Sequence, residues 1–190
     1  MSELPHAQPF DLTLSSRENF PPYYARNSET PTEAAEHREH SPAAIKNNRS
    51  TNVTQPLESL SLEDARQIIA AGERKAAELG VPYNLAVVDA GGNLISHIRM
   101  DGAWLGSIDI SIQKAWTARA FDMATQDLAK MAQSGKPLFG INSTNHDRVV
   151  IFAGGLPVKR GKTVIGAVGA SGGTVEQDEK VVEAAIAAFR

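Results

Sequence analysis

Three stretches of this sequence carry side chains able to do chemistry. The first is Leu94-Ile95-Ser96-His97-Ile98-Arg99-Met100. Written as an extended strand, it puts Ile95, His97 and Arg99 on one face and Leu94, Ser96, Ile98 and Met100 on the other. A strand face with His and Arg is either a wet outer surface or the floor of a polar pocket. In a pocket, the Arg99 guanidinium could clamp a carboxylate through two parallel hydrogen bonds. The His97 imidazole could transfer protons near neutral pH. The second stretch offers Lys114 and Thr117, three residues apart and so on one side of a helix. They would be either solvated or close to a ligand. The third runs through Asn142, Asn145, His146, Asp147 and Arg148. An adjacent His146-Asp147 pair can fix an imidazole tautomer or act as general acid and base, while local capping of the loop by Asn and Asp is the alternative.

Glycine pairs occur at Gly154-Gly155 and Gly172-Gly173 without the Walker spacing or a strand–turn–helix Gly-x-Gly-x-x-Gly context. Ser171-Gly172-Gly173-Thr174 does precede a helix, so backbone N–H groups at Gly172 could take an anion such as a carboxylate; turn geometry alone would also explain the glycines. Of the five histidines, only His37 and His40 have ligand-like spacing, and no stable metal site is expected. The absence of cysteine excludes a disulfide, a thiolate nucleophile and a zinc–sulfur site.

The elements that must position these groups begin at Ser61, an N-cap with Asp64 at the box position. Leu62, Ala65, Ile69, Gly72, Ala76 and Leu79 recur at helical spacing until Gly80 and Pro82 stop the run. Leu85–Val88 and Leu94–Met100 read as strands joined by an Asp89–Asn93 turn. Helices are expected from about Ser107 to Phe121 and from Thr125 to Ala132, followed by a long loop to Asp147. Arg148–Ala153, Leu156–Lys159 and Thr163–Ala170 read as three further strands. Thr174, with Gln177 at the box position, caps a last helix with Val181, Val182, Ala185, Ile186 and Phe189 on its apolar stripe. The order α-β-β-α-α-β-β-β-α gives an α+β fold with a mostly antiparallel five-stranded sheet flanked by helices, not a Rossmann arrangement.

The chain has 190 residues, 42% of them hydrophobic, and a formal net charge of −3. That suits one domain with an extension, and offers no electrostatic reason to expect nucleic acid or an anionic membrane as partner. No run approaches the roughly 20 apolar residues that span a bilayer, and the N-terminal residues do not read as a secretory signal, so a cytoplasmic location is expected. Residues 1–56 hold seven prolines and little periodicity. They read as a polar, proline-containing arm, either disordered or docked on a neighbour through Phe20-Pro21-Pro22-Tyr23-Tyr24. The domain proper is expected at residues 57–190.

The run Leu85-Ala86-Val87-Val88-Asp89-Ala90-Gly91-Gly92-Asn93-Leu94, then Arg99-Met100-Asp101-Gly102-Ala103, Lys114-Ala115 and Thr117-Ala118 resembles the GlcG/HbpS family. So do Gly154-Gly155-Leu156-Pro157, Ile165 to Gly172 and the closing Gln177-Asp178-Glu179. The resemblance implies a profilin-like fold, frequent homo-oligomers and a small ligand, with haem or a corrinoid as the family example. Arg99 and Lys114 would then hold carboxylates, with Thr117 and Gly172 near the ligand and His97 or His146 as the leading haem ligand; Asp147, singled out by its place beside His146, is a further candidate for ligand contact. Relatives of this kind include enzymes of aromatic catabolism, among them lyases acting on arylhydroxylamines. An enzyme for a small aromatic acid such as a hydroxylaminobenzoate, with His146 or His97 transferring protons, is therefore the alternative. An arm exchanged between copies of a homo-oligomer completes the set of expectations.

Overall fold

The computed structural model describes residues 56–189. Residues 1–55 of the arm, with the His37/His40 pair and the aromatic–proline cluster, lie outside the described residues. Helix α1 (Leu62–Leu79) starts at a capping box: Ser61 Oγ accepts from the Asp64 N–H at 3.2 Å, and Asp64 Oδ2 accepts from the Ser61 N–H at 2.8 Å. These bonds hold the Asp64 carboxyl below its ordinary pKa. Gly80, at φ +66, closes the helix. Strands β1 (Asn84–Asp89) and β2 (Leu94–Arg99) follow, then helices α2 (Gly106–Ala120) and α3 (Thr125–Ala132). After two short 3-10 turns come β3 (Gly155–Arg160), β4 (Thr163–Ser171) and α4 (Val175–Ala187), the last capped by Thr174 and Gln177. Among the described residues, no helix is long and apolar enough to cross a membrane.

The α+β class stands, but the sheet has four strands, not five, all antiparallel in the order β2-β1-β4-β3. The segment Arg148–Ala153, expected as a strand from its apolar run, is irregular. Val149 and Val150 are buried, yet their neighbouring backbone groups are satisfied by a helix side chain. The Thr117 hydroxyl donates to the Arg148 carbonyl at 3.3 Å and accepts from the Val150 N–H at 3.1 Å. Apolar burial produced the strand-like pattern, and the hydrogen bonds decided otherwise.

Helices α1 and α4 cover one face of the sheet. Leu85, Val87, Val158, Val168 and Ala170 meet Ile68, Ile69, Val181, Val182 and Ala185 there in the main core. Two bulges shape that face. Val87 pairs with Ser96 and Val88 with Leu94, so Ile95 is an extra residue; Ile165 is extra in the same way between β3 and β4. Each bulge turns an isoleucine onto the α1/α4 core. Ile95 therefore does not share a face with His97 and Arg99, as strict alternation implied. His97 and Arg99 pair with Ala86 and Asn84 and stay on the α2 side.

Helix α2 lies on the opposite face, over a layer of small residues: Ala86, Val88 and Ala167 from the sheet, Ala115 and Ala118 from the helix. Gly169 makes the approach possible, because a Cβ there would lie 2.1 Å from the Ser111 carbonyl oxygen and 2.6 Å from the Ala115 nitrogen. Gly169→Ala should therefore cost at least about 3 kcal/mol in urea denaturation, the upper range for overpacking. Gly106→Ala, where an added Cβ meets nothing within 4 Å, should be neutral or stabilising by up to about 1 kcal/mol.

Candidate functional site

Lys114 points inward from the middle of α2 and is fully buried. Its Nζ donates to Asp178 Oδ2 at 2.5 Å and to the Ala170 carbonyl at 3.0 Å, with the Phe152 ring centroid 4.6 Å away. Asp178, in the first turn of α4, also accepts from the N–H groups of Gly172 and Gly173 through Oδ1, both at 3.2 Å. Burial pushes the Lys114 pKa down, and the Asp178 carboxylate opposes that only in part. Beside them the Tyr83 hydroxyl is enclosed without a hydrogen-bond partner among the described residues. Burial, and then the Asp178 charge, push its pKa up.

Three residues expected near a ligand are thus engaged within the chain. Lys114 is neutralised by Asp178. The Gly172 N–H, offered as an anion site, already holds a carboxylate of the same chain. Thr117 spends both functions of its hydroxyl on the 148–150 backbone. These are the bonds a buried ion and a buried loop require.

Arg99 and His97 differ. Arg99 is exposed at the end of the edge strand β2, and its Nε donates to the Ala103 carbonyl at 3.0 Å. Asn84, its cross-strand partner, is fully buried and donates from Nδ2 to the Trp104 carbonyl at 3.0 Å. The two bonds pin the strap between β2 and α2, which leaves Trp104 and Leu105 68% and 72% exposed. Ser107 and Ser171, joined by a 3.0 Å hydroxyl–hydroxyl bond, continue the polar row. Asn84 Oδ1 and His97 Nε2 are enclosed and lack partners among the described residues. Burial holds the His97 pKa below its usual value and favours the neutral ring.

His146 and Asp147 stand elsewhere. Both are exposed in the second 3-10 turn, where Asn145, His146 and Asp147 take φ values of 53, 58 and 59 in succession. This left-handed run costs roughly 1–2 kcal/mol for an ordinary residue and less for Asn and Asp. It leads directly into the segment held by Thr117. Thr117 is ten residues along α2 from Ser107, or about 15 Å at 1.5 Å per residue. His146 thus precedes a segment tied to the end of α2 away from the Arg99 strap.

Comparison with known proteins bears on what this arrangement is for. Residues 60–187 match the family model described as "HbpS-like: Haem degrading protein HbpS-like". The chain belongs to the HbpS-like family. One HbpS-like relative is an uncharacterised 15.0 kDa protein of the dhaT–dhaS intergenic region of Citrobacter freundii, 45% identical over 138 residues, or 73% of this chain and 97% of that protein. The crystal structure of Klebsiella pneumoniae protein ORFY is 44% identical, with a TM-score of 0.71, covering 73% of this chain and 95% of that one. A crystal structure of a PduOC:heme complex is 40% identical, with a TM-score of 0.66, covering 68% and 94%.

Asp178 was the partner that side-chain chemistry alone passed over. The signal was present in this HbpS-like chain: Asp178 shares the helical stripe of Val181, Val182 and Ala185, as Lys114 shares that of Ser111, Ala115 and Ala118. Opposite charges on two core-facing stripes must meet. Asn84 and the strap carbonyls carried no such signal. Lys114→Met and Asp178→Asn should each cost about 3–5 kcal/mol in chemical denaturation, by leaving one buried polar partner uncompensated. The double variant should cost clearly less than the sum of the two.

Proposed function

We propose that this domain binds a flat, carboxylate-bearing ligand of the haem or corrinoid kind at the Arg99 end of α2. The observation that carries the reading is a guanidinium fixed beside an exposed apolar pair. Arg99 is held through Nε by the Ala103 carbonyl, which leaves its terminal nitrogens as donors, while Trp104 and Leu105 stand exposed on the same strap. An amphipathic planar molecule with carboxylates needs those two features next to each other. The relative solved as a heme complex supports haem as the class. Arg99 would hold a carboxylate, and Trp104 and Leu105 would cover part of the flat face. Bound haem would supply the redox and ligand chemistry of its iron. His97 shares the strand face, but its Nε2 is enclosed, so ligation through that nitrogen requires the ring to turn.

A second reading is an enzyme of aromatic catabolism, a lyase acting on a small aromatic acid such as a hydroxylaminobenzoate. What favours His97 over His146 for proton transfer there is its neutral ring on the same face as Arg99. Assembly into homo-oligomers with exchange of the arm belongs to the same proposal, supported by the outer edge of β2, unpaired among the described residues, and by the exposed Phe139. A cytoplasmic location completes it.

Titration of the full chain with haemin should give a sharp, saturable Soret band. Arg99→Ala should weaken binding by at least about tenfold, since a charge-assisted bond contributes about 1.5–3 kcal/mol. Arg99→Lys should recover part of it. Ser96→Ala, on the α1/α4 side opposite Val87, should leave affinity unchanged. Thermal melts of each variant separate lost recognition from lost folding. An unsaturable spectrum, or Arg99→Ala equal to the parent with the fold intact, would overturn the reading.

A further inference from the structure

Asn84 is a fully buried amide at the start of β1, and only half of it is engaged. Nδ2 donates to the Trp104 carbonyl at 3.0 Å, which ties the strap to the sheet, while Oδ1 is enclosed without a partner among the described residues. An enclosed acceptor left bare is costly, so a donor for Oδ1 is expected close by. Of the cross-strand neighbours, Ser171 gives its hydroxyl proton to Ser107 at 3.0 Å. Arg99 is exposed, with Nε on the Ala103 carbonyl. That leaves His97. It pairs with Ala86, which makes it the diagonal neighbour of Asn84 on the same α2-side face. Its Nε2 is likewise enclosed and lacks a partner among the described residues.

A neutral imidazole donates through one nitrogen and accepts through the other. Burial alone lowers the His97 pKa, so the ring is neutral and no charged neighbour selects its tautomer. An acceptor at Asn84 Oδ1 does select it. Diagonal neighbours on adjacent strands lie about 7–8 Å apart along the backbone, a gap between side chains that one bridging water closes. We propose that Asn84 is a positioning residue whose Oδ1 accepts, through that water, from His97 Nε2–H, and so keeps the ring proton on Nε2 and the lone pair on Nδ1. One amide then fixes the strap with its donor side and the imidazole with its acceptor side. A ligand on the Arg99 face would meet a guanidinium that donates beside an imidazole nitrogen that accepts. Only this last consequence rests on the reading of the Arg99 face; the place of the proton does not.

The test is 15N NMR of the imidazoles in the ligand-free full chain at about pH 8, where the rings are neutral, with His97 assigned by the signals lost in His97→Gln. The parent should show a proton on His97 Nε2, in slow exchange with solvent, and a bare Nδ1. Asn84→Leu, which removes the acceptor, should speed that exchange by at least about tenfold. Asn84→Asp keeps an acceptor while losing the donor to Trp104. It should retain the slow exchange and raise the proton affinity of His97 by at least about tenfold. Asn84→Asp decides the matter even if Asn84→Leu fails to fold. A proton on Nδ1 in the parent, exchange unmoved by Asn84→Leu, or proton affinity unmoved by Asn84→Asp would overturn the proposal. Haemin titration of the parent is a separate readout: this tautomer without haemin binding would sink the Arg99 reading and uphold the role of Asn84.

Discussion

A lysine stem crosses from α2 to the first turn of α4 because three glycines leave it room. Without Gly169 the helix could not lie on the sheet, and a Cβ at Gly155 would fall 2.5 Å from the Lys114 carbonyl oxygen. A Cβ at Gly154, already at φ +107, would fall 2.8 Å from Lys114 Nζ itself. An ammonium enclosed in this way is tolerable only with a carboxylate and a carbonyl on it, because uncompensated burial of such a charge costs several kcal/mol. The Lys114–Asp178 pair therefore links the helix on one face of the sheet to a helix on the other. It also fixes the Gly172–Gly173 turn and the loop bearing Phe152. The pair need not make the fold more stable than an apolar substitute would.

That docking determines what is left for function. With α2 centred over β4 and its neighbours, the α2-side residues of the edge strand β2 remain at the rim, and Arg99 keeps donors free. Lys114, Thr117 and Gly172 are consumed in building the scaffold. The fold thus separates the buried Lys114–Asp178 pair from the exposed Arg99 at the rim. A small domain of this sort can serve many ligands, and only the site chemistry chooses among them. On the reading proposed above, that chemistry is a guanidinium held beside exposed apolar side chains.

Much of the architecture was legible in the sequence, for local reasons. Ser61/Asp64 and Thr174/Gln177 form capping boxes whose partners are three residues apart, so residue type and spacing suffice. The Asp89–Asn93 turn is written in its own side chains. What escaped was decided at long range. Arg148–Ala153 looks like a strand because it is mostly apolar, but the side chain that takes its backbone hydrogen bonds is a threonine 33 residues from Val150. The bulge at Ile95 undid simple alternation by adding one residue against Val87 and Val88. Lys114 was readable as a site residue by type, yet its 64-residue separation from Asp178 hid that its charge was already answered. Arg99 sits at a strand end, exposed, and its partner there is the Ala103 carbonyl of its own turn, four residues away.

The central claim is that the ligand lies on the Arg99 face, against the strap. The protein carries one indole there, Trp104, and one at the far end of α2, Trp116. Titrating 15N-labelled full chain with gallium(III) protoporphyrin, a diamagnetic stand-in for haem, and following the two indole N–H resonances reads the location directly. The account expects the Trp104 resonance to shift with saturation while that of Trp116 stays in place. A shift of Trp116 with Trp104 unmoved, or no saturable shift at either indole, would contradict it.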